Sequence, residues 1–266
     1  VQNNNLYVAD SLGYLYSYDL TTDKLLWAKN YGIPFRSEIR LVEEQIIITN
    51  QDNELFVYNI FNGDIMSKIN LKSSFIKSKF ENSLVIDDIL KNVIVYTTDG
   101  EIYSINYKES SINWVLHLKT DSYLDDTQVF INHPAVLYGD DIFVGTNNQF
   151  LNIKTSGLKN WEVPIPMKGL PLISGKYVFL LSQQNFLICL NKENGEIIWS
   201  KDVINQTKKY NKKIKVGKKN VPKGLFLLDN KISIFFLNGF VVNFNFSNGE
   251  INSFLDKPKL AITSYS

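Results

Sequence analysis

The stretch ICLNKENGEIIW, Ile188 to Trp199, decides the fold, because five variants of it occur elsewhere in the chain. They are YSYDLTTDKLLW from Tyr16, FVYNIFNGDIMS from Phe56, YSINYKESSINW from Tyr103, FLNIKTSGLKNW from Phe150 and VNFNFSNGEINS from Val242. Their starts lie 40, 47, 47, 38 and 54 residues apart, a period that suits a repeated four-stranded unit. Each copy holds a turn at its middle, at Thr22-Asp23, Asn62-Gly63, Ser110-Ser111, Ser156-Gly157, Asn194-Gly195 or Asn248-Gly249. A further strand follows each turn and ends near Trp27, Trp114, Trp161 or Trp199, with Ser67 and Ser253 in the remaining two copies.

Outward from each phrase, toward the N-terminus, lies a run rich in β-branched and aromatic residues: LYVAD from Leu6, IIITN from Ile46, VIVYTT from Val93, IFVGT from Ile142, VFLLS from Val178 and ISIFF from Ile232. These read as buried central strands. Three residues before each phrase stands Gly13, Asn53, Gly100, Asn147, Asn185 or Gly239, and Gly and Asn tolerate positive φ best. Pairs such as Asp99-Gly100 and Asn238-Gly239 predict a hairpin with a two-residue turn. A fourth strand is expected at Glu38 to Val42, Ser83 to Asp87, Pro134 to Tyr138, Leu170 to Ser174 and Leu225 to Leu228.

The first unit has no such strand, since only VQNNN precedes Leu6, and the tail KLAITSYS from Lys259 reads as its replacement. Pairing of that tail with Leu6 to Asp10 would close the array and remove two exposed sheet edges. The expectation is an all-β chain, a single domain over residues 1–266: a β-propeller of four-stranded antiparallel blades, six in number, closed by the C-terminal strand. The alternative is a fragment of a seven- or eight-bladed propeller.

Lys and Arg number 28 against 27 Asp and Glu, so global charge gives no reason to expect nucleic acid. Cys189 is the sole cysteine, which excludes an intramolecular disulfide and a thiolate zinc cluster. The sequence holds no uncharged apolar run long enough to span a membrane, and Val1 opens without a signal peptide, so any targeting segment or lipid anchor is expected upstream. His117 and His133 lack a second ligand at metal spacing, and no nucleophile elbow or phosphate loop occurs. The acidic pairs Asp87-Asp88, Asp125-Asp126 and Asp140-Asp141 read as solvated turn carboxylates. No catalytic, cofactor-binding or metal residue is assigned.

The phrases resemble the pyrroloquinoline-quinone-type propeller repeat, which runs through alternation, Asp, two residues, Thr-Gly-Lys and Trp. Asp19 with Trp27, and Asn194, Gly195 and Trp199, match it best. Asp19 is the only Asp of its column, which otherwise holds Asn59, Asn106, Ile153, Asn191 and Asn245. The resemblance implies that the tryptophans dock between neighbouring blades. It also divides the functional possibilities. Quinone-dependent dehydrogenases of this family need an Asp base and a calcium cluster, and many carry a vicinal disulfide that Cys189 alone cannot form.

The chain is similar instead to the non-enzymatic branch, the BamB-type lipoproteins of outer-membrane assembly. That likeness implies a monomeric, cofactor-free scaffold in the periplasm, associated with the outer membrane through an upstream lipid anchor. Its implied partner is an outer-membrane barrel assembly subunit or an unfolded outer-membrane protein. BamB relatives usually have eight blades, against the six read here. A quinone- and calcium-dependent enzyme and a small-ligand-binding propeller remain the alternatives.

Two features offer a contact surface. QTKKYNKKIKVGKKNVPKG from Gln206 reads as a solvated loop or a basic hairpin, with Lys208, Lys209, Tyr210, Lys212 and Lys213 as partner-binding candidates. Arg36 and Arg40, the only arginines, stand four apart and would share one side of a strand. Arginine suits interfaces, although Glu38, Glu43 and Glu44 lie close enough to pair with either.

Overall fold

In the computed structural model, which describes residues 1–72, 81–118, 133–146, 148–210, 221–228 and 231–255, the apolar runs become strands of six antiparallel sheets. The first sheet contains Asn5–Ala9, Tyr14–Asp19 and Lys24–Asn30. The second contains Arg40–Val42, Gln45–Thr49, Glu54–Asn59 and Ile65–Asn70, and the third Ser83–Asp87, Asn92–Tyr96, Glu101–Asn106 and Ser111–His117. Sheet four contains Val136–Tyr138, Asp141–Gly145, Phe150–Lys154 and Lys159–Val163. Sheet five contains Leu172–Ser174, Tyr177–Leu181, Phe186–Asn191 and Ile197–Asp202. Sheet six contains Pro222–Leu228, Lys231–Phe236, Val241–Phe244 and Ile251–Leu255.

Among the described residues the first sheet has three strands, as its short N-terminal flank predicts. The tail from Lys259, read as the fourth, lies outside the described residues. The chain divides into two compact units, Val1–Leu137 with Thr155–Gly157, and Tyr138–Lys154 with Leu158–Ser266.

The two middle strands of a sheet carry most of the core. Ile46, Ile47 and Ile48 are wholly buried, as are Val93 with Val95 and Leu180 with Leu181. Successive residues on these strands are buried whichever way they point, which explains the unbroken apolar runs. Burying such a side chain contributes about 1.5–3 kcal/mol relative to exposure, before conformational entropy is set against it.

The expected central strands begin one residue earlier than their apolar runs, because a polar residue opens the ladder. Asn5 pairs Asp19, Gln45 pairs Asn59, and Asn92 pairs Asn106. These partners are the Asp and Asn of the repeat column, and their side chains explain the column. Oδ1 of Asp19, Asn59, Asn106, Asn191 and Asn245 each accepts the backbone N–H two residues on, at 2.7 to 2.9 Å, so Asp and Asn serve equally. Ile153 does not belong to that column. In sheet four Asp141 pairs Lys154, and Asn152 faces Trp161 as Cys189 faces Trp199, so the phrase there is offset by one residue.

In five of the six sheets the hairpin corrects a second expectation, since its loop holds three residues instead of two, whereas in sheet four Thr146 N–H donates to Gln149 O at 2.8 Å. Gly13 N–H returns to Asp10 O, Asn53 to Asn50, Gly100 to Thr97, Asn185 to Ser182 and Gly239 to Phe236. The third loop residue takes positive φ, +57° at Asn53 and +82° at Gly100. A turn followed by a left-handed residue is the three-residue solution that matches strand twist, and it requires Gly or Asn at that one position.

Candidate functional site

The four motif tryptophans do dock from one sheet onto the next. Each lies over the glycine in the middle turn of the following phrase, and a Cβ on that glycine would stand 2.8 Å from Trp27 at Gly63, 2.9 Å from Trp114 at Gly157, 2.7 Å from Trp161 at Gly195 and 2.5 Å from Trp199 at Gly249. Three indoles also donate to a carbonyl of that turn: Trp27 to Ile60 at 3.3 Å, Trp114 to Thr155 at 2.9 Å and Trp161 to Lys192 at 2.8 Å. These side chains are structural seams.

Most of the charge is spent the same way. Asp141, read from sequence as a solvated turn acid, is instead buried, with Lys154 and Lys192 each 2.6 Å from one of its oxygens. Burial alone would raise its carboxyl, but those two lysines, with Asn152, hold it below the usual aspartate range. Glu101 is also buried and accepts from Lys72 at 3.0 Å and from Tyr103, while His117 Nδ1 lies 3.0 Å away. Its carboxyl, which burial would raise, is held low by these partners. Asp87 is buried as well and caps its own turn through the N–H groups of Ile89 and Leu90.

Asp125-Asp126 lies outside the described residues. Among the described residues no group of three His, Cys, Asp or Glu is placed to hold a metal ion. The buried carboxylates of Asp141 and Glu101 are already occupied by lysine, so the described residues do not fit a calcium-quinone centre. Burial pushes the Cys189 thiol up to about 12, which suits a core residue and not a nucleophile.

The candidate contact residues separate. Arg40 opens the first strand of sheet two, where its Nε donates to Leu84 O at 2.8 Å and its guanidinium pairs with Glu38, the intramolecular pairing that nearby acids favoured. Arg36 stands outside that strand, so the two arginines do not share a strand side. Its backbone is pinned at both ends: N–H donates to Thr49 O at 2.8 Å and C=O accepts from Asn82 N–H at 2.7 Å. Its half-buried side chain takes no carboxylate among the described residues.

The lysine-rich stretch from Gln206 begins neither as a loop nor as a hairpin, because Val203–Tyr210 is an α-helix. Val203 and Thr207 are its buried side, and the Tyr210 ring meets Phe254 edge-on at 5.5 Å. Asp202 Oδ1 caps its start through Asn205 N–H at 2.8 Å. Lys208 and Lys209 fall in its last turn, where cations complement the helix dipole. Lys212 and Lys213 lie outside the described residues.

Sequence reasoning passed over two equivalents of Arg36. Gln51 N–H bonds Pro34 O at 2.8 Å, Gln183 N–H bonds Pro166 O at 2.9 Å, and Leu237 N–H bonds Val221 O at 3.1 Å. Two residues beyond these carbonyls stand Arg36, Lys168 and Lys223, the first two on the connectors entering sheets two and five and the third in the first strand of sheet six. The strings IPFRS, IPMKG and VPKG contained that signal, although their spacing differs from that of the main phrase.

Antiparallel four-stranded sheets repeated in this order and seamed by tryptophan define the β-propeller class. BamB from Moraxella catarrhalis has the same fold, with a TM-score of 0.76 at 13% identity over 98% of this chain and 75% of that one. The computationally designed Ika8 protein aligns with a TM-score of 0.57 at 10% identity, over 99% and 87% of the two chains. No curated protein matches the sequence. The model of the outer membrane protein assembly factor BamB family matches residues 1–201, and the chain belongs to that family.

Proposed function

We propose that this chain is a non-catalytic protein-interaction scaffold of the bacterial cell envelope. It works in the periplasm against the outer membrane, held by a lipid anchor upstream of Val1, and assists outer-membrane protein assembly. Family membership supports the setting. One observation carries the contact: Arg36 is presented on a backbone fixed from both sides, while the neighbouring Arg40 is consumed by Glu38 and Leu84. A guanidinium carried on a fixed backbone, with no carboxylate paired to it among the described residues, is suited to bidentate capture of an acidic partner group.

Binding of the purified chain to the periplasmic domains of a barrel-inserting subunit tests this. Arg36→Ala is expected to weaken the complex by about tenfold or more, as for an interface anchor, while Arg40→Ala changes it less. Lys208→Glu with Lys209→Glu is expected to weaken capture and to reduce its sensitivity to salt, since exposed charges act over about one Debye length. Absence of a complex with the wild-type chain would sink the reading. So would stoichiometric loading with quinone and Ca²⁺ that confers dye-reducing activity.

A further inference from the structure

The residue that opens the second strand of a sheet receives N–H donors in sheets three and four. In sheet three it is Asn92, whose Oδ1 accepts from Asn113 Nδ2 at 2.9 Å. Asn113 is the extra residue of a bulge in the outer strand, between Ile112 and Trp114. In sheet four it is Asp141, with the ammonium groups of Lys154 and Lys192 each at 2.6 Å, the second reaching over from the middle turn of sheet five. In sheet two it is Gln45, and Met66 stands at the bulge. A thioether has no N–H to give. Gln45 Oε1 is closed off from water and has no hydrogen-bond partner.

Gln45 and Met66 line a cavity of about 330 Å³ together with Glu43, Glu44, Asn59 and Lys108. That volume lies at the lower end of small-ligand sites, which run from about 300 to 1,000 Å³. Glu43 is shared by Lys91 and Lys108, and Asn59 Oδ1 is taken by the N–H of Phe61. Glu44 is exposed and forms no ion pair among the described residues. A buried acceptor without a donor costs free energy, and the soft terminal torsion of glutamine lets the oxygen turn toward one. Two carboxylates against one lysine in the lining favour a cation over an anion. Met66, with 53% of its surface exposed, offers a polarizable thioether to an aliphatic stem.

We propose that this cavity binds a cationic N–H donor on an aliphatic stem, an alkylguanidinium or alkylammonium group. It takes at Gln45 the place that Asn113 takes at Asn92 and Lys192 at Asp141, with Glu44 as its counter-ion. The site is separate from the Arg36 contact and does not depend on the scaffold reading.

The chain has two methionines, and Met167 is buried on the connector entering sheet five. Carbon-13 methyl NMR of methionine in the full chain therefore carries one reporter in the cavity and one control outside it. Agmatine, an alkyl chain with a guanidinium at one end and an ammonium at the other, is the probe. At about 50 mM salt, where screening is modest, it should shift the Met66 signal saturably and leave Met167 unmoved. Glu44→Gln and Gln45→Met should each weaken binding about tenfold, the scale of one charge-assisted hydrogen bond. Lys108→Gln should strengthen it, because a like charge leaves the lining and Glu43 is released. Met66→Asn restores the internal donor seen in sheet three, so calorimetry should show agmatine binding lost while the urea midpoint rises. Equal shifts of both methionines, an equal shift from the same concentration of sodium chloride, undiminished binding in Glu44→Gln and Gln45→Met, or weaker binding in Lys108→Gln would each overturn the site. A Gly-Arg-Gly peptide separates the sources of the group. Binding of the peptide assigns the cavity to an arginine side chain of a partner, binding of agmatine alone assigns it to a free amine, and binding of neither removes the proposal.

Discussion

The seam between sheets five and six and the seam between sheets two and three solve one problem with opposite chemistry. At the first, Trp199 lies on Gly249 and the contact is aromatic carbon against backbone. At the second, Ser67 occupies the tryptophan position and Ser110 the glycine position, and a polar network takes over. Asn53 Nδ2 donates to Asp99 at 2.9 Å, Asn82 Nδ2 to Asn53 Oδ1 at 3.0 Å, and Lys72 Nζ to Glu101 at 3.0 Å. Beneath it, Leu55, Val57, Leu84 and Val95 belong to one apolar cluster that crosses both sheets.

The pairing of these choices shows what the glycine is for. All six middle turns place a residue at positive φ, including Asp23 at +57° and Ser110 at +56°. Backbone conformation therefore does not demand glycine. Where a tryptophan covers the turn, glycine is present in each case, because a Cβ would enter the indole. The close approach selects glycine, and the φ angle merely permits it.

The largest effects should come from the aromatic seams. Trp161→Ala removes a buried indole that also donates to Lys192 O, and a loss of about 3–5 kcal/mol is expected in urea unfolding. An effect under about 1 kcal/mol, the range of a surface substitution, would show that the seam is not built as described.

Asp141→Asn comes next, at about 3 kcal/mol, because it leaves two lysines without their shared carboxylate. The folded carboxyl titrates below the ordinary aspartate value of 3.8, so this stabilisation is complete above that value and is lost as pH falls through the folded one. Urea midpoints of the wild type should fall on acidification below that value, and the Asp141→Asn variant should lack this component of the fall.

A double-mutant cycle sharpens the comparison. Ser67→Trp alone should destabilise, because the new ring meets a side chain at Ser110. Adding Ser110→Gly should recover about 1–2 kcal/mol beyond additivity, the scale of coupling between residues in contact. Additive effects would refute the pairing of tryptophan with glycine. Smallest of all, Ser110→Gly alone should change stability by less than about 1 kcal/mol, since relief of positive φ is offset by the flexibility gained in the unfolded chain.

Much of this architecture was readable in the repeat. Spacing and apolar runs locate all six central strands to within a residue or two at both ends, and the N-terminal deficit of the first sheet matches its three strands among the described residues. Loop length was misread because Gly100 and Asn53 signal positive φ without saying how many residues precede them. The helix at Val203–Tyr210 was hidden by its lysines, since only Val203 and Thr207 turn inward and one buried side over two turns leaves a faint period. Of the contact candidates, Arg36 and Arg40 were distinguishable only after Glu38 and Leu84 were seen to claim Arg40.

Repetition, strand chemistry and the Asp and Asn column are properties of neighbouring residues, so the order of letters determined the sheets, their antiparallel pairing and the turns that cap them. Which tryptophan rests on which glycine, and that Lys192 joins the nearer Lys154 on Asp141, depend on groups about 30 to 55 residues apart. Those contacts exist only once one sheet is laid against the next, because packing distance, and not chain distance, sets both steric exclusion and the strength of a charge pair.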